Sequence, residues 1–242
     1  MPVPDPSPVP PDRTIAYGRS SDQVVDLRIP VGTPRNATVV VIHGGFWTPS
    51  YDRAHAGQQS DALAAHGFHV ATIEYRRIPG DWPAMAADVL AAVGAVTSDP
   101  DLPDDVVLVG HSAGGHLATW AIYQPGISVA GVVSLAGCVD LHLTRDLHLG
   151  DDAANALMGS ATESVWRAAD PAMLGQPPTQ VRLVHGSADD RVPVEVSESY
   201  QSAAGEGVSV QVLAGCGHFE VIDPASPYFR HTVAAVDAVL AG

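Results

Sequence analysis

The run of apolar residues at Ala37–His43 constrains the fold of this chain more than any other feature. Its sequence, ATVVVIH, shows no alternation of apolar and polar residues. A strand with one wet face alternates, whereas a strand buried on both faces does not, and such strands belong to mostly parallel sheets covered by helices. A second run, DVVLVG at Asp105–Gly110, has the same character. We therefore predict an α/β domain with a doubly wound, mostly parallel sheet and helices on both faces.

Predicted strands and helices alternate along most of the chain. Gln23–Val31 alternates apolar and polar residues, which predicts an antiparallel strand with one wet face. Pro83–Val96 places apolar residues on one helical stripe, with Asp81 as a good N-cap residue just upstream. The other predicted strands are 68–75, 129–135, 180–185 and 208–213, and the other predicted helices are 52–67, 113–123, 194–204 and 228–240.

Two segments depart from this alternation. The first 11 residues hold 6 prolines, which lack the amide hydrogen that helices and sheets use. We therefore predict that residues 1–12 form a disordered arm ahead of a single domain at 13–242. Residues 137–178 are polar, with helical hints only at 153–158 and 164–169, and are predicted to form a cap or a loop insertion. Whether they cover a site or run over the surface stays open.

Composition excludes several classes of partner. Twelve basic and 27 acidic residues give a net charge of −15, so no nucleic-acid partner is expected. The same charge disfavours anionic substrates unless a local basic group overrides it. No apolar run approaches the roughly 20 residues that span a bilayer, and the N-terminus lacks the pattern of a secretory signal. We therefore expect no membrane span and a cytoplasmic location.

The histidines and cysteines give no metal-binding pattern. The 11 histidines form no H-E-x-x-H or similar cluster, and the two cysteines are far apart in the chain. We predict no metal site. The oligomeric state cannot be read from the sequence.

A G-x-S-x-G pattern lies between a predicted strand and a predicted helix, at Gly110–Gly114. In such a pattern, a sharp turn lifts the hydroxyl of Ser112 clear of the sheet, and side chains at the two glycine positions would clash with neighbouring backbone. The amino end of the following helix favours negative charge at the serine. The pattern indicates a nucleophile, against the alternative of a glycine-rich turn with an idle serine.

The sequence HGGFW follows the first buried strand directly. Two glycines let backbone amides approach a substrate closely, and such amides can stabilise an oxyanion. We predict the amides of Gly45, Phe46 and Ala113 as the donors, with Gly44 needed for the shape of the backbone. Trp47 is expected either to wall a substrate pocket or to pack in the core.

An acid and a base follow at the ends of two later strands. HGSADDRVP offers Asp189 and Asp190, and Gly217-His218-Phe219 offers His218. In open α/β sheets, the chemistry gathers beyond the carboxyl ends of the strands. A serine hydrolase needs a carboxylate to orient its histidine, so the chain order is Ser112, then Asp189 or Asp190, then His218.

Together these motifs resemble those of the α/β-hydrolases, over residues 14–240. HGSADDRVP is similar to the family pattern H-G-x-x-D-x-x-V-P, which implies that Asp189 is the acid and Asp190 a solvated neighbour. GHSAGGHLA resembles the esterase and lipase branch, although Phe46 stands where that branch has a third glycine. HGGFW instead resembles the H-G-G-x-W signature of kynurenine formamidases, and GHFEVID resembles their histidine loop.

The resemblance implies a serine hydrolase that cleaves a small ester or amide through an acyl-enzyme, with no cofactor. The narrower expectation is an arylformamidase that acts on N-formylkynurenine or a similar small-molecule formamide. A general short-chain carboxylesterase is the first alternative, and a non-catalytic binding protein of the hydrolase fold is the second.

Overall fold

A computed structural model of the chain describes residues 9–242 and places eight strands in one sheet. The strands are β1 (Arg13–Ala16), β2 (Val24–Arg28), β3 (Thr38–Ile42), β4 (His69–Ile73), β5 (Val106–His111), β6 (Gly131–Leu135), β7 (Gln180–Gly186) and β8 (Val208–Leu213). Their order across the sheet is β1-β2-β4-β3-β5-β6-β7-β8. The pairs β1–β2 and β2–β4 are antiparallel, and every other pair is parallel.

Helices cover both faces of this sheet. They are α1 (Gly57–Ala65), α2 (Trp82–Thr97), α3 (Ala113–Ala121), α4 (Leu141–Asp146), α5 (Leu149–Met158), α6 (Glu163–Ala169), α7 (Glu195–Ala204) and α8 (Phe229–Leu240). One apolar cluster joins alternate residues of β3 to α2, α3 and α7, and a second joins the residues between them to α1 and α8. All five residues of β3 are buried, as its sequence predicts. The doubly wound, mostly parallel α/β fold is confirmed.

The predicted helix over 52–67 begins as a 3-10 turn. Asp52 accepts a hydrogen bond from the backbone N–H of Ala54 and caps this turn, Arg53–Ala56, which leads into α1. The predicted N-cap of α2 is confirmed, since the carboxylate of Asp81 accepts a hydrogen bond from the N–H of Ala84 at 3.1 Å. Side chains that accept hydrogen bonds in this way satisfy amides that would otherwise lack a partner.

The segment 137–178 is built of short helices rather than loop. It contains α4, α5, α6 and a 3-10 turn at Pro171–Met173. Asp170 is fully buried, and its carboxylate accepts hydrogen bonds from the N–H groups of Leu141, His142 and Ala172. Because one carboxylate ties both ends of the segment together, the segment is ordered against the apolar cluster that contains α2 and α3.

The N-terminal strand β1 is absent from the sequence prediction. Its residues are mostly exposed, so they carry no apolar pattern that would indicate a strand. Residues 1–8 of the predicted proline-rich arm lie outside the described residues, and Asp12 already donates its N–H to the carbonyl of Leu27 at 2.9 Å. Within residues 9–242, no helix is both long enough and apolar enough to cross a bilayer.

Candidate active site

Ser112 lies in a strained turn between β5 and α3. Its φ is 55° and its ψ is −119°, a region that residues other than glycine rarely adopt. A Cβ added to Gly110 would overlap the carbonyl group of Gly114, and a Cβ added to Gly114 would overlap the carbonyl group of Ile42 in β3. The predicted steric need for both glycines is confirmed. The turn therefore fixes Ser112 at the carboxyl end of the sheet.

An acid and an imidazole meet at the ends of β7 and β8. The Nδ1–H of His218 donates to Oδ2 of Asp189 at 2.7 Å. Burial by itself would raise the pKa of Asp189, but hydrogen bonds from His185 and His218 outweigh it and hold that pKa well below its usual range. Asp190, by contrast, points to solvent, with its side chain 76% exposed. The structure thus brings Asp189, and not Asp190, to His218.

Ser112 and His218 lie in the wall of the same cavity, of about 110 Å³. Sequence reasoning missed several of the other residues in this wall. Two of them, Tyr51 and His55, follow the HGGFW sequence by a few positions, but nothing in a single chain marks them as facing the serine. The full set of lining residues is Gly45, Phe46, Tyr51, His55, His111, Ser112, Arg191, His218 and Phe219.

Two further histidines surround His218 within this wall. The Nε2–H of His111 donates to the carbonyl oxygen of His218 at 2.9 Å, and the two ring centroids are 4.6 Å apart. Burial, together with the neighbouring histidines, lowers the pKa of His111 far below its usual value and that of His55 to about 4. Both rings are therefore neutral near pH 7. Their Nδ1 atoms have no hydrogen-bond partner among the described residues.

The loop after β3 is held from behind by the buried ring of His43. Its Nδ1 lies 2.8 Å from the carbonyl oxygen of Gly44, and its Nε2 lies 3.1 Å from Oε1 of Glu74. Burial would raise the pKa of Glu74, but the hydrogen bond from His43 and neighbouring charges lower it to about 2. Since C=O and N–H point in opposite directions in a trans peptide, the N–H of Gly45 points away from His43.

This loop leaves backbone amides without acceptors. Among residues 9–242, no hydrogen-bond acceptor is found for the N–H groups of Gly45, Phe46 and Ala113. Ala113 is the first residue of α3, where helix amides have no partner within the helix. Phe46 has a φ of 48°, and a Cβ added to Gly45 would lie 2.5 Å from the Cβ of Tyr51. The three amides are thus free for a ligand.

Gly44 and Trp47 lie behind the cavity and not in its wall. A Cβ on Gly44 would come within 2.8 Å of the carbonyl oxygen of His111, which agrees with a role in backbone shape. Of the two alternatives for Trp47, the structure shows packing in the core. Its side chain is only 3% exposed and packs edge-on against the ring of His116, at 5.3 Å between centroids. Burial of the apolar ring surface beside α3 stabilises the core, although Nε1–H of Trp47 has no hydrogen-bond partner among the described residues.

In the part of the chain that the structure describes, no group of three or more histidine, cysteine, aspartate or glutamate side chains could hold a metal ion.

The sheet order, the strained serine and the strand-end imidazole define the class of this protein. It has the α/β-hydrolase fold, and its relatives include probable esterases. Within that class, the chain belongs to the BD-FAE family, whose model matches residues 25–203. The sequence-based resemblance to α/β-hydrolase esterases is confirmed.

Three known proteins illustrate how the chain is related to this class. A probable isoprenylcysteine alpha-carbonyl methylesterase ICME of Oryza sativa subsp. japonica is 33% identical over 121 residues, which cover 46% of this chain and 28% of the relative. A kynurenine formamidase of Salmo salar is 28% identical over 130 residues, 50% of this chain and 44% of the relative. The truncated carbohydrate esterase from gut microbiota has the same fold, with a TM-score of 0.79 and 20% identity over 98% of this chain and 100% of that one.

The matches to the two curated relatives therefore span less than half of each relative's length. The solved esterase is matched over nearly all of both chains, and at its level of identity the likeness concerns the fold.

Proposed function

We propose that this protein is a serine hydrolase in which Ser112 is the nucleophile, His218 the base and Asp189 the acid. The observation that carries the proposal is that Ser112 and His218 face one cavity while Nδ1 of His218 is bonded to Asp189. With Nδ1–H held by the carboxylate, the other nitrogen, Nε2, is the one that accepts the serine proton. His218 then returns that proton to the leaving group, and water releases the acid from the acyl-enzyme.

The free amides complete the proposed mechanism. Attack on a carbonyl carbon places negative charge on its oxygen, and the N–H groups of Gly45, Phe46 and Ala113 are the donors we assign to that charge. Losing one such donor typically costs about 2.7–4 kcal/mol of transition-state stabilisation. The hydrogen bond from His43 to the carbonyl of Gly44 supports this assignment, because it holds the adjoining amide of Gly45 in one orientation.

For the substrate, we propose a small acyl group on an aromatic leaving group, with an N-formyl arylamide of the N-formylkynurenine type as the first candidate. A cavity of about 110 Å³ leaves little room for a long acyl chain. The rings of Phe46, Tyr51 and Phe219 in its wall suit an aromatic group. The similarity to a kynurenine formamidase supports the same candidate. A short-chain aryl ester is the second candidate, because the same groups would cleave it.

An activity-based fluorophosphonate probe tests the serine mechanism. Labelling of the wild-type protein is expected, and Ser112→Ala abolishes it. Ser134→Ala is a matched control, since Ser134 is a buried serine of β6 outside the cavity wall, and it should label like the wild type if it folds. A folded wild-type protein that takes up no probe and hydrolyses none of the substrates below would instead be a binding protein of the hydrolase fold.

A substrate panel tests the narrower proposal. N-formylkynurenine, p-nitrophenyl acetate and p-nitrophenyl octanoate are compared by kcat/KM. The formamidase proposal expects N-formylkynurenine to exceed p-nitrophenyl acetate by at least an order of magnitude, with the octanoate lowest. Hydrolysis of p-nitrophenyl acetate without any turnover of N-formylkynurenine would contradict the formamidase proposal and support a short-chain esterase.

A further inference from the structure

Arg191 brings a positive charge to the wall of the cavity. Among residues 9–242, it is the only arginine that lines the cavity, and no aspartate or glutamate of this part of the chain lines it. Burial keeps the lining histidines His55 and His111 neutral near pH 7. All 12 basic residues of the chain are arginines, and the net charge is −15. A cation at this position therefore counteracts, locally, a field that repels anions.

The backbone places this arginine next to the acid–base pair. The N–H of Arg191 donates to Oδ1 of Asp189 at 2.8 Å, and the other oxygen of the same carboxylate accepts from His218. The side chain of Arg191 thus leaves the chain beside the imidazole. In the proposed mechanism, His218 protonates the leaving group, so the leaving group lies on this side of the cavity.

The guanidinium of Arg191 is available to a ligand. Its side chain is 55% exposed, and its Nε lies 3.5 Å from a carboxylate oxygen of Asp190, whose own side chain is 76% exposed. A pair of this distance and exposure contributes little. Within residues 9–242, the side chain of Arg191 makes no hydrogen bond. The guanidinium of arginine matches the two oxygens of a carboxylate in geometry and can bind them with two parallel hydrogen bonds.

We infer that Arg191 selects substrates whose leaving group carries a carboxylate. The inference rests on the proposed hydrolase function and extends it: the aromatic rings hold the aryl part of the leaving group, and the guanidinium at the cavity mouth binds its carboxylate. Arg191 is then a specificity-determining residue for the reaction.

Two matched esters test the inference in the full-length protein. The acetate esters of 4-hydroxybenzoate and 4-hydroxybenzamide differ only in a carboxylate against a neutral carboxamide of similar shape. The measured quantity is the ratio of their kcat/KM values. We expect this ratio to fall by about tenfold in Arg191→Gln, the size typical of losing one hydrogen bond to a charged group. Arg191→Lys should keep most of the preference, and Arg191→Glu should lower the ratio below that of Arg191→Gln.

A second exposed arginine provides the matched control. Arg19 lies in the exposed turn between β1 and β2, and it is absent from the cavity wall. Arg19→Gln changes the net charge by the same amount, so it should leave the ratio at its wild-type value. An equal fall of the ratio in Arg19→Gln would mean that overall charge, and not Arg191, sets the preference.

A second pair of esters carries the carboxylate on the acyl group instead of the leaving group, and it tests whether the position of the carboxylate matters. Phenyl hemisuccinate and phenyl succinamate form the corresponding pair, and their ratio should change less than twofold in Arg191→Gln. An unchanged benzoate-to-benzamide ratio in Arg191→Gln overturns the inference while leaving the hydrolase in place. If the wild-type protein hydrolyses neither acetate ester and also takes up no fluorophosphonate probe, the proposed function itself is wrong and the inference falls with it. Labelling by the probe without hydrolysis of either ester would overturn the inference alone.

Discussion

At the scale of single residues, the carboxylate of Asp189 is held from two directions. Oδ1 accepts the backbone N–H groups of Arg191 and Val192 at 2.8 and 2.9 Å. Oδ2 accepts Nδ1–H of His218 at 2.7 Å, and Nε2 of His185 lies 3.3 Å from the same oxygen. A carboxylate with this many donors has one orientation and stays ionised. It is therefore suited to fix the tautomer of His218.

Replacing this carboxylate tests the assignment directly. Asp189→Asn keeps the shape of the side chain but offers an amide N–H to His218, which favours the wrong tautomer. We expect kcat to fall by about 10⁴-fold, the cost of the same change in serine proteases. Activity is measured with p-nitrophenyl acetate, and circular dichroism checks that the variant folds.

Asp190→Asn is the matched control, since it removes one carboxylate at the neighbouring, solvated position. Its kcat should stay within about threefold of the wild-type value, as is usual for exposed sites. A larger loss of kcat in Asp190→Asn than in Asp189→Asn would mean that Asp190, and not Asp189, is the acid.

At the scale of elements, α5 supports the loop that follows β3. Near the start of α5, three successive residues are left-handed, with φ of 60° at Gly150, 56° at Asp151 and 63° at Asp152. This conformation brings Gly150 against the ring of Phe46, so that a Cβ at Gly150 would lie 2.6 Å from the ring. The segment 137–178 therefore contacts the amide loop itself.

A methyl group at this contact should disturb catalysis. In Gly150→Ala, the new Cβ collides with the ring of Phe46 and displaces the loop whose amides we assign to the oxyanion. We expect kcat/KM for p-nitrophenyl acetate to fall by about tenfold or more, because small displacements at an active site are costly.

Gly175→Ala separates this collision from backbone strain. Gly175 has a φ of 79° in the same segment, but a Cβ there meets nothing within 4 Å. It should lose stability and keep kcat/KM. Equal kcat/KM values in the two variants would show that α5 does not position the loop.

Two helical glycines give opposite predictions for stability. Gly94 lies within α2, and a Cβ there meets no atom within 4 Å, so Gly94→Ala should stabilise the protein by about 0.5–1 kcal/mol. Gly114 lies in the first turn of α3, where a Cβ would overlap the backbone of β3. Gly114→Ala should therefore prevent folding or sharply lower the urea concentration at the midpoint of unfolding. Urea unfolding at pH 7 measures both. A destabilised Gly94→Ala would contradict the open space beside α2.

The buried strands could be predicted from the sequence because burial on both faces leaves a continuous apolar run. The predicted strand 37–43 corresponds to β3 at Thr38–Ile42, and 105–110 corresponds to β5 at Val106–His111. In contrast, α4 has only six residues, and besides its local N-cap Asp140 it is held by tertiary hydrogen bonds to Asp170, which lies 29 residues beyond Leu141. Such long-range contacts override weak local preferences.

At the scale of the whole molecule, buried histidines couple stability to pH. Burial lowers the pKa of His55 and of His116 to about 4, and that of His111 well below its usual value. These groups bind protons more weakly in the folded state than in the unfolded state, where the pKa is about 6.5. The unfolding free energy therefore decreases as pH falls from about 6.5 to 4, by up to about 1.4 kcal/mol per pH unit for each histidine.

The contribution of one histidine can be isolated from the slope of the unfolding free energy against pH. Above pH 7 the unfolding free energy should be nearly independent of these groups, and between pH 6.5 and 4.5 it should fall steeply. His116→Gln should reduce that slope by about 1.4 kcal/mol per pH unit, whatever its effect at pH 7. His66→Gln, at an exposed position, should leave the slope unchanged. Urea unfolding at pH 7.0, 6.0 and 5.0 measures the slopes, and identical slopes in all three proteins would contradict the prediction.

The sequence by itself determined the buried parallel strands, the turn at Ser112 and the chain order of Ser112, Asp189 or Asp190, and His218. These features depend on local sterics and on apolar patterns that a strand or a turn carries wherever it lies. Only the tertiary structure decided which groups face Ser112. It placed Trp47 in the core, and it brought Tyr51, His55 and Arg191 to the cavity. Their positions depend on contacts between segments far apart in the chain, and no local pattern records such contacts.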